Sequence, residues 1–189
     1  AIIDKPNTGS VLQYNLKDAQ IEDLGEISLR GHLISDEKEA QAELSFNGEV
    51  QKLAGWPNGG YTGLIKPTDS NEYGKRTKSG IANGCSFKVN YDRPSQWSKP
   101  EQAWLSGTIG PNYEFDYYPV SRFDSEEKRV YLSRGALEKY YTEPYYRFEN
   151  VPEELDEPGE YYIDRQSGML YFYPPEDAPK DSVLTITMS

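Results

Sequence analysis

One cysteine and one histidine stand among 189 residues. A lone Cys85 cannot close an internal disulfide, so the redox compartment is not written in the cysteines. With only His32 beside it, a structural zinc site lacks ligands. Long apolar runs are absent as well, and no window is long enough to cross a membrane as a helix. Basic residues are scarce: 20 Lys and Arg against 31 Asp and Glu give a formal net charge of −11. Phosphate binding needs clustered cations, which argues against nucleic acid as a partner and equally against an anionic membrane surface. Neutral ligands stay compatible. No Gly-x-Ser-x-Gly elbow occurs, and no glycine-rich phosphate loop precedes a helix, so neither a serine-hydrolase nor a nucleotide fold is supported. No fixed-period repeat runs through the chain, against a propeller or solenoid. No secretory leader opens the chain at Ala1, as expected of a mature or trimmed form.

Tyrosine is abundant instead, 16 against 6 Phe, with 16 Gly and 13 Pro spread throughout. Tyrosine joins a large apolar ring to a polar tip and suits a sheet surface. The length fits one domain, a single module over residues 1–189. Gly159 to Pro174 organises it as a β-hairpin: Tyr161-Tyr162-Ile163 and Met169 to Tyr173 are the strands, and Asp164 to Gly168 the turn. Side chains alternate, so Leu170 and Phe172 share one face and Met169, Tyr171 and Tyr173 the other. Both faces are apolar or aromatic, which predicts cover on both sides. Asn150 to Gly159 reads as a short turn or cap feeding the hairpin.

Earlier, Val11 to Leu16 reads as a strand, Lys17 to Glu26 as mildly helical with a stop at Gly25, and Ile27 to Leu33 as an alternating strand. Asn47-Gly48 between Ala42–Phe46 and Glu49–Leu53 is a strong hairpin signal. Gly55 to Tyr61 reads as a loop, and residues 66–83 as a long polar loop. Cys85 to Tyr91 resumes alternation, with Cys85 expected as a small buried apolar residue. Trp97 sits in a loop between prolines. Ala103–Ile109, Tyr113–Phe123, Arg129–Leu132, Tyr145–Glu149 and Val183–Met188 complete about ten or more short strands. The fold class expected is all-β, an antiparallel β-sandwich, jelly-roll-like or a compressed barrel.

Carboxylates are densest at Glu153, Glu154, Asp156, Glu157 and Glu160. A glycosidase needs one carboxylate of raised pKa facing another across a sugar, yet charge runs are usually solvated caps, and that reading is preferred. Calcium, which takes several carboxylate and carbonyl oxygens, is compatible with this run or with Asp124 to Glu127, though neither has EF-hand spacing. No obligatory cofactor is expected. His32 lies mid-strand with no nucleophile motif, so it reads as structural.

The rings say more. Trp97, Tyr113, Tyr117, Tyr118, Tyr140, Tyr141, Tyr145 and Tyr146 fall in polar or proline-punctuated surroundings. A sugar's C–H face stacks on such rings while Asp, Asn, Gln and Arg take its hydroxyls. The alternative is cross-strand pairing of tyrosines. Trp97, Tyr113, Tyr117, Tyr118, Tyr140 and Tyr141 are the candidate carbohydrate-binding residues, with an expected Kd of about 10 μM to 1 mM.

Leu-Ser-Phe-Asn-Gly-Glu-Val-Gln-Lys-Leu-Ala-Gly-Trp-Pro-Asn over 44–58, and Glu153 to Pro175, resemble a β-sandwich accessory module inserted in secreted right-handed parallel β-helix glycoside hydrolases of the fucosidase/xylanase type. Val11 to Leu16, Leu24-Gly25 and Arg30-Gly31 resemble that module's opening. One departure is Gly55, where the resemblance leads to an arginine. In such proteins the catalytic carboxylates lie on the β-helix, so the resemblance carries no catalytic residue here. It implies an extracellular, non-catalytic module that binds polysaccharide or oligosaccharide. The alternatives are a spacer packed on a β-helix domain, or a small glycosidase or lyase.

Overall fold

The computed structural model describes residues 11–31, 41–63, 85–109, 113–133, 145–175 and 182–188. His32, Tyr140, Tyr141 and the polar loop at 66–83 lie outside the described residues, as does the Cys85 side chain. The architecture is all-β, with several antiparallel sheets and no closed barrel, consistent with a β-sandwich. The strands are β1 (Leu12–Asn15), β2 (Ala42–Phe46), β3 (Glu49–Val50), β4 (Lys52–Leu53), β5 (Gly55–Trp56), β6 (Thr62–Gly63), β7 (Cys85–Lys88), β8 (Trp104–Thr108), β9 (Asp116–Asp124), β10 (Arg129–Leu132), β11 (Tyr145–Glu149), β12 (Glu160–Asp164), β13 (Met169–Tyr173) and β14 (Leu184–Met188). The chain divides into two compact units: Ala1–Ser28, Glu37–Gly55 and Asn150–Ser189 form the first, and Leu29–Asp36 with Trp56–Glu149 the second.

The first unit holds the organising hairpin. β12 and β13 pair antiparallel, with Tyr161 opposite Phe172 and Ile163 opposite Leu170. They sit inside a sheet of order β1-β13-β12-β4, facing a smaller sheet of order β14-β2-β3. Ala42, Leu44 and Phe46 point from β2 into the core shared with Tyr161, Ile163, Leu170 and Phe172. The rings of Phe46 and Phe172 meet at 5.4 Å. Ala54, Leu155 and Tyr162, with Tyr171 and Tyr173 against them, cover the opposite face, so the hairpin is covered on both sides as its sequence predicts. Asn47 and Gly48 carry φ of 51° and 85°, the double positive φ a type I′ turn requires, and β2 and β3 pair across them.

Two readings are corrected. The helical pattern of Lys17 to Glu26 yields only a single 3-10 turn, Leu16–Ala19, capped by Asn15 and ended by Gln20 at φ 59°. Two apolar positions cannot anchor so short a segment as an α-helix. Ile27 to Gly31 forms no strand. Its residues from Ile27 to Arg30 are half-buried, and the Arg30 carbonyl accepts from Tyr117 N at 2.9 Å.

The second unit is built on the seven-stranded sheet of order β5-β11-β8-β9-β10-β7, with β6 also on β11. Phe87, Leu105, Tyr118, Val120, Val130, Leu132, Tyr146 and Phe148 are buried. Edge-on ring contacts join Phe87 to Tyr146 at 5.4 Å and Tyr146 to Phe148 at 5.5 Å. The Tyr91 and Tyr146 hydroxyls share a very short hydrogen bond. Both phenols are shifted up from the ordinary tyrosine range, mainly by burial.

Candidate functional site

Period-two alternation sorts the second unit's sheet into two faces. On β11, Tyr146 and Phe148 turn to the core, which leaves Tyr145, Arg147 and Glu149 on the other side. β11 pairs β8 so that Tyr145 lies opposite Thr108, Arg147 opposite Ser106 and Glu149 opposite Trp104. β8 in turn pairs β9 with Ser106 opposite Tyr117 and Trp104 opposite Pro119. Three rows of side chains therefore cross this face, and Phe115 precedes Tyr117 on the same side. Close approach of the central strands depends on Gly107, at φ 150°, where a Cβ would meet the Tyr145 carbonyl oxygen and Tyr146 Cα.

One edge of the face is aromatic and exposed. Tyr61, Phe115 and Tyr145 are 48%, 37% and 40% exposed. Their rings touch in series: Tyr61 meets Phe115 at 6.1 Å and Tyr145 at 5.0 Å, and Phe115 meets Tyr117 at 6.3 Å. Each contact is edge-on, the favourable geometry for ring quadrupoles. Further along β11, on the same side as Tyr145, lies a carboxylate. Ser106 Oγ donates to Glu149 Oε1 at 2.7 Å, and Arg147 Nε stands 3.7 Å from the same oxygen. Burial pushes the Glu149 carboxyl above its ordinary range, while Ser106 and Arg147 act to lower it. A buried carboxylate and an exposed aromatic patch on the same side of this sheet make it the candidate site.

The candidates from sequence divide between this face and the core. Tyr117 belongs to the face, and Tyr113 is exposed two residues ahead of Phe115. Trp97 is 5% exposed, its ring against Phe148 at 5.1 Å. Tyr118 is 1% exposed and donates to Asp116 Oδ2 at 3.0 Å. Neither offers a ring face to a ligand, because alternation turns Tyr118 inward and the 3-10 turns around Trp97 tuck it under β11. Tyr61, Trp104, Phe115, Arg147 and Glu149 are absent from the sequence candidates. The available signal was the spacing Tyr113-x-Phe115-x-Tyr117 and Tyr145-x-Arg147-x-Glu149, which puts each set on one side of a strand.

The acidic run does not behave as a solvated cap throughout. Glu154 and Glu160 are 1% and 2% exposed. Glu160 Oε2 accepts from the backbone N–H groups of Asp156 and Glu157 at 3.1 and 3.2 Å, closing the turn ahead of β12. Asp124 Oδ1 likewise accepts from Glu126 N and Glu127 N, at 3.1 and 3.0 Å. Among the described residues, no group of three or more His, Cys, Asp or Glu side chains gathers as a metal site.

No family model matches the sequence, and comparison with characterised proteins returns no match. A solved structure titled "Glycoside hydrolase" is similar in fold, with a TM-score of 0.56 at 13% identity over 78% of this chain. This chain spans 26% of that structure's length.

Proposed function

We propose that this chain is a non-catalytic carbohydrate-binding module of a secreted, extracellular polysaccharide-active protein. The observation that carries the reading is the continuous series of exposed rings, Phe115, Tyr61 and Tyr145, with Tyr117 beside them. Such rings present apolar faces on which sugar C–H groups stack, and hydroxyl recognition falls to the polar side chains in the adjoining rows. The likeness in fold to part of a glycoside hydrolase agrees with a polysaccharide-active parent. Glycosidic hydrolysis uses two carboxyl groups flanking the bond; among the described same-side residues of β11 and β8, Glu149 is the single carboxylate, which agrees with binding. Calcium is not required by this arrangement, and chelation serves as the control.

Retention on insoluble polysaccharides tests the reading. Tyr61→Ala, Phe115→Ala and Tyr145→Ala lose retention while keeping the parent's melting behaviour. Trp97→Ala and Tyr118→Ala lower the melting temperature instead.

A second reading, a spacer that packs on a β-helix domain of the parent, is favoured by the first unit. Leu12 and Tyr14 pair with the core-facing Phe172 and Leu170, yet each is 40% exposed. A cleft of about 490 Å³ opens there, floored by Leu16, Leu170, Leu184 and Ile186. Should the parent chain bind no glycan, the spacer reading stands in place of the first.

A further inference from the structure

We infer that the open side of the first unit is a self-association surface, on which a second copy of this chain pairs β1 with β1, antiparallel, across a two-fold axis.

β1 and β14 are end strands of their two sheets, and residues of both line the cleft of the first unit. Register shows which backbone groups they turn outward. Leu16 N donates to the Gly168 carbonyl at 2.9 Å, in step with Tyr14 opposite Leu170 and Leu12 opposite Phe172. Leu12, Tyr14 and Leu16 therefore bond towards β13, while Gln13 and Asn15 direct their N–H and C=O groups away from it. On β14, Asn47 N donates to the Val183 carbonyl at 2.9 Å, in step with Thr185 opposite Ser45. Leu184, Ile186 and Met188 are thus the outward-bonding residues there. Side chains on the inner side of both strands are apolar. Leu12 and Tyr14 share a side with the core residues Phe172 and Leu170, and Leu184, Ile186 and Met188 with Phe46, Leu44 and Ala42. Leu12, Tyr14 and Met188 are nevertheless exposed.

Charge marks this side off from the opposite one. Edge strands are ordinarily kept from pairing with other chains by charged residues, proline or bulges. The far ends of the same two sheets follow that rule, with Lys52 on β4 and Glu49 on β3. Leu12–Asn15 and Leu184–Met188 hold no charge, no proline and no bulge, although 27% of the chain is charged. A strand that fits here is uncharged, offers outward N–H and C=O groups at alternate residues, and brings apolar side chains to the inner side. β1 itself meets all three conditions, so the surface is self-complementary, as a two-fold interface requires. With the axis at Gln13, the two Gln13 residues exchange backbone hydrogen bonds, and Leu12 of each copy lies opposite Tyr14 of the other. Elsewhere the copies repel, at a net charge of −11 each. Salt screens that repulsion and leaves an uncharged interface intact, so association strengthens as salt is added. β1 and β14 belong to the first unit and the ring series to the second, so this surface stands or falls apart from the carbohydrate reading.

Sedimentation equilibrium of the whole chain, from about 1 μM to about 1 mM, is the test. We expect the parent to pass from one chain mass to two, with its midpoint at lower concentration in about 0.5 M than in about 0.05 M sodium chloride. Gln13→Pro removes an outward N–H but no bond to β13, so the monomer keeps its ladder. It is expected to stay at one chain mass to about tenfold above the parent's midpoint. Leu12→Lys puts a charge at an exposed edge position, with the same expected result, and decides the matter if Gln13→Pro melts early. A parent of one chain mass at every concentration overturns the self-association surface. So does a dimer that both variants leave intact, or one that salt dissociates. Growth beyond two chain masses overturns the two-fold closure.

Discussion

Phe172 and Glu149 mark the two extremes of what one side chain does in this protein. Phe172 is 0% exposed, against the Phe46 ring across the sandwich. Phe172→Ala is expected to cost roughly 3–5 kcal/mol, the transfer of the ring plus the cavity it leaves. A loss below about 1 kcal/mol in urea titration would remove the hairpin from the centre of the fold. Glu149 works against stability. Its folded pKa is raised, so as pH climbs through the ordinary glutamate range the unfolded chain releases its proton first. The folded chain binds more protons across that window, and stability falls as pH rises through the folded pKa. Glu149→Gln should therefore gain stability relative to the parent from acid to neutral pH, with the difference vanishing on the acid side. Equal pH profiles for the two proteins in denaturant titration would contradict this.

At the scale of elements, two glycines separate a turn from a close approach. Gly48 sits at φ 85°, and a Cβ added there would meet nothing within 4 Å. Gly48→Ala strains only its own backbone, costing about 1 kcal/mol. Gly107 has backbone atoms of β11 where its Cβ would be, Tyr146 Cα at 2.6 Å. Gly107→Ala must push β8 and β11 apart, and is expected to destabilise by more than about 3 kcal/mol and to erase the near-ultraviolet circular dichroism of the packed rings. A melt like that of Gly48→Ala would show that the two strands are not held as closely as their register indicates.

For the whole molecule, charge and chemistry give two expectations. A neutral ligand releases no counterions, so glycan affinity should change little with salt, unlike phosphate recognition. A steep loss of retention on adding salt would point to an ionic ligand. The chain should also release no reducing sugar from xylan, pectin or a fucosylated glycan; release that one carboxylate substitution abolishes would make it an enzyme.

Local chemistry alone determined several features of this protein. The Asn47-Gly48 turn, the hairpin of β12 and β13, and the all-β class rest on alternation and on residues that tolerate positive φ, both readable within a few neighbours. The excess of tyrosine and the scarcity of cations were legible as well. Only the tertiary structure decided which rings are open. Trp97 and Tyr118 have the same local look as Tyr113 and Tyr117, and whether a ring faces core or solvent depends on what packs above it. The meeting of Tyr61 with Phe115 and Tyr145, and of Ser106 with Glu149, joins residues far apart in the chain through strand register. Register is a long-range property, set when non-local strands pair, and no short window of sequence contains it.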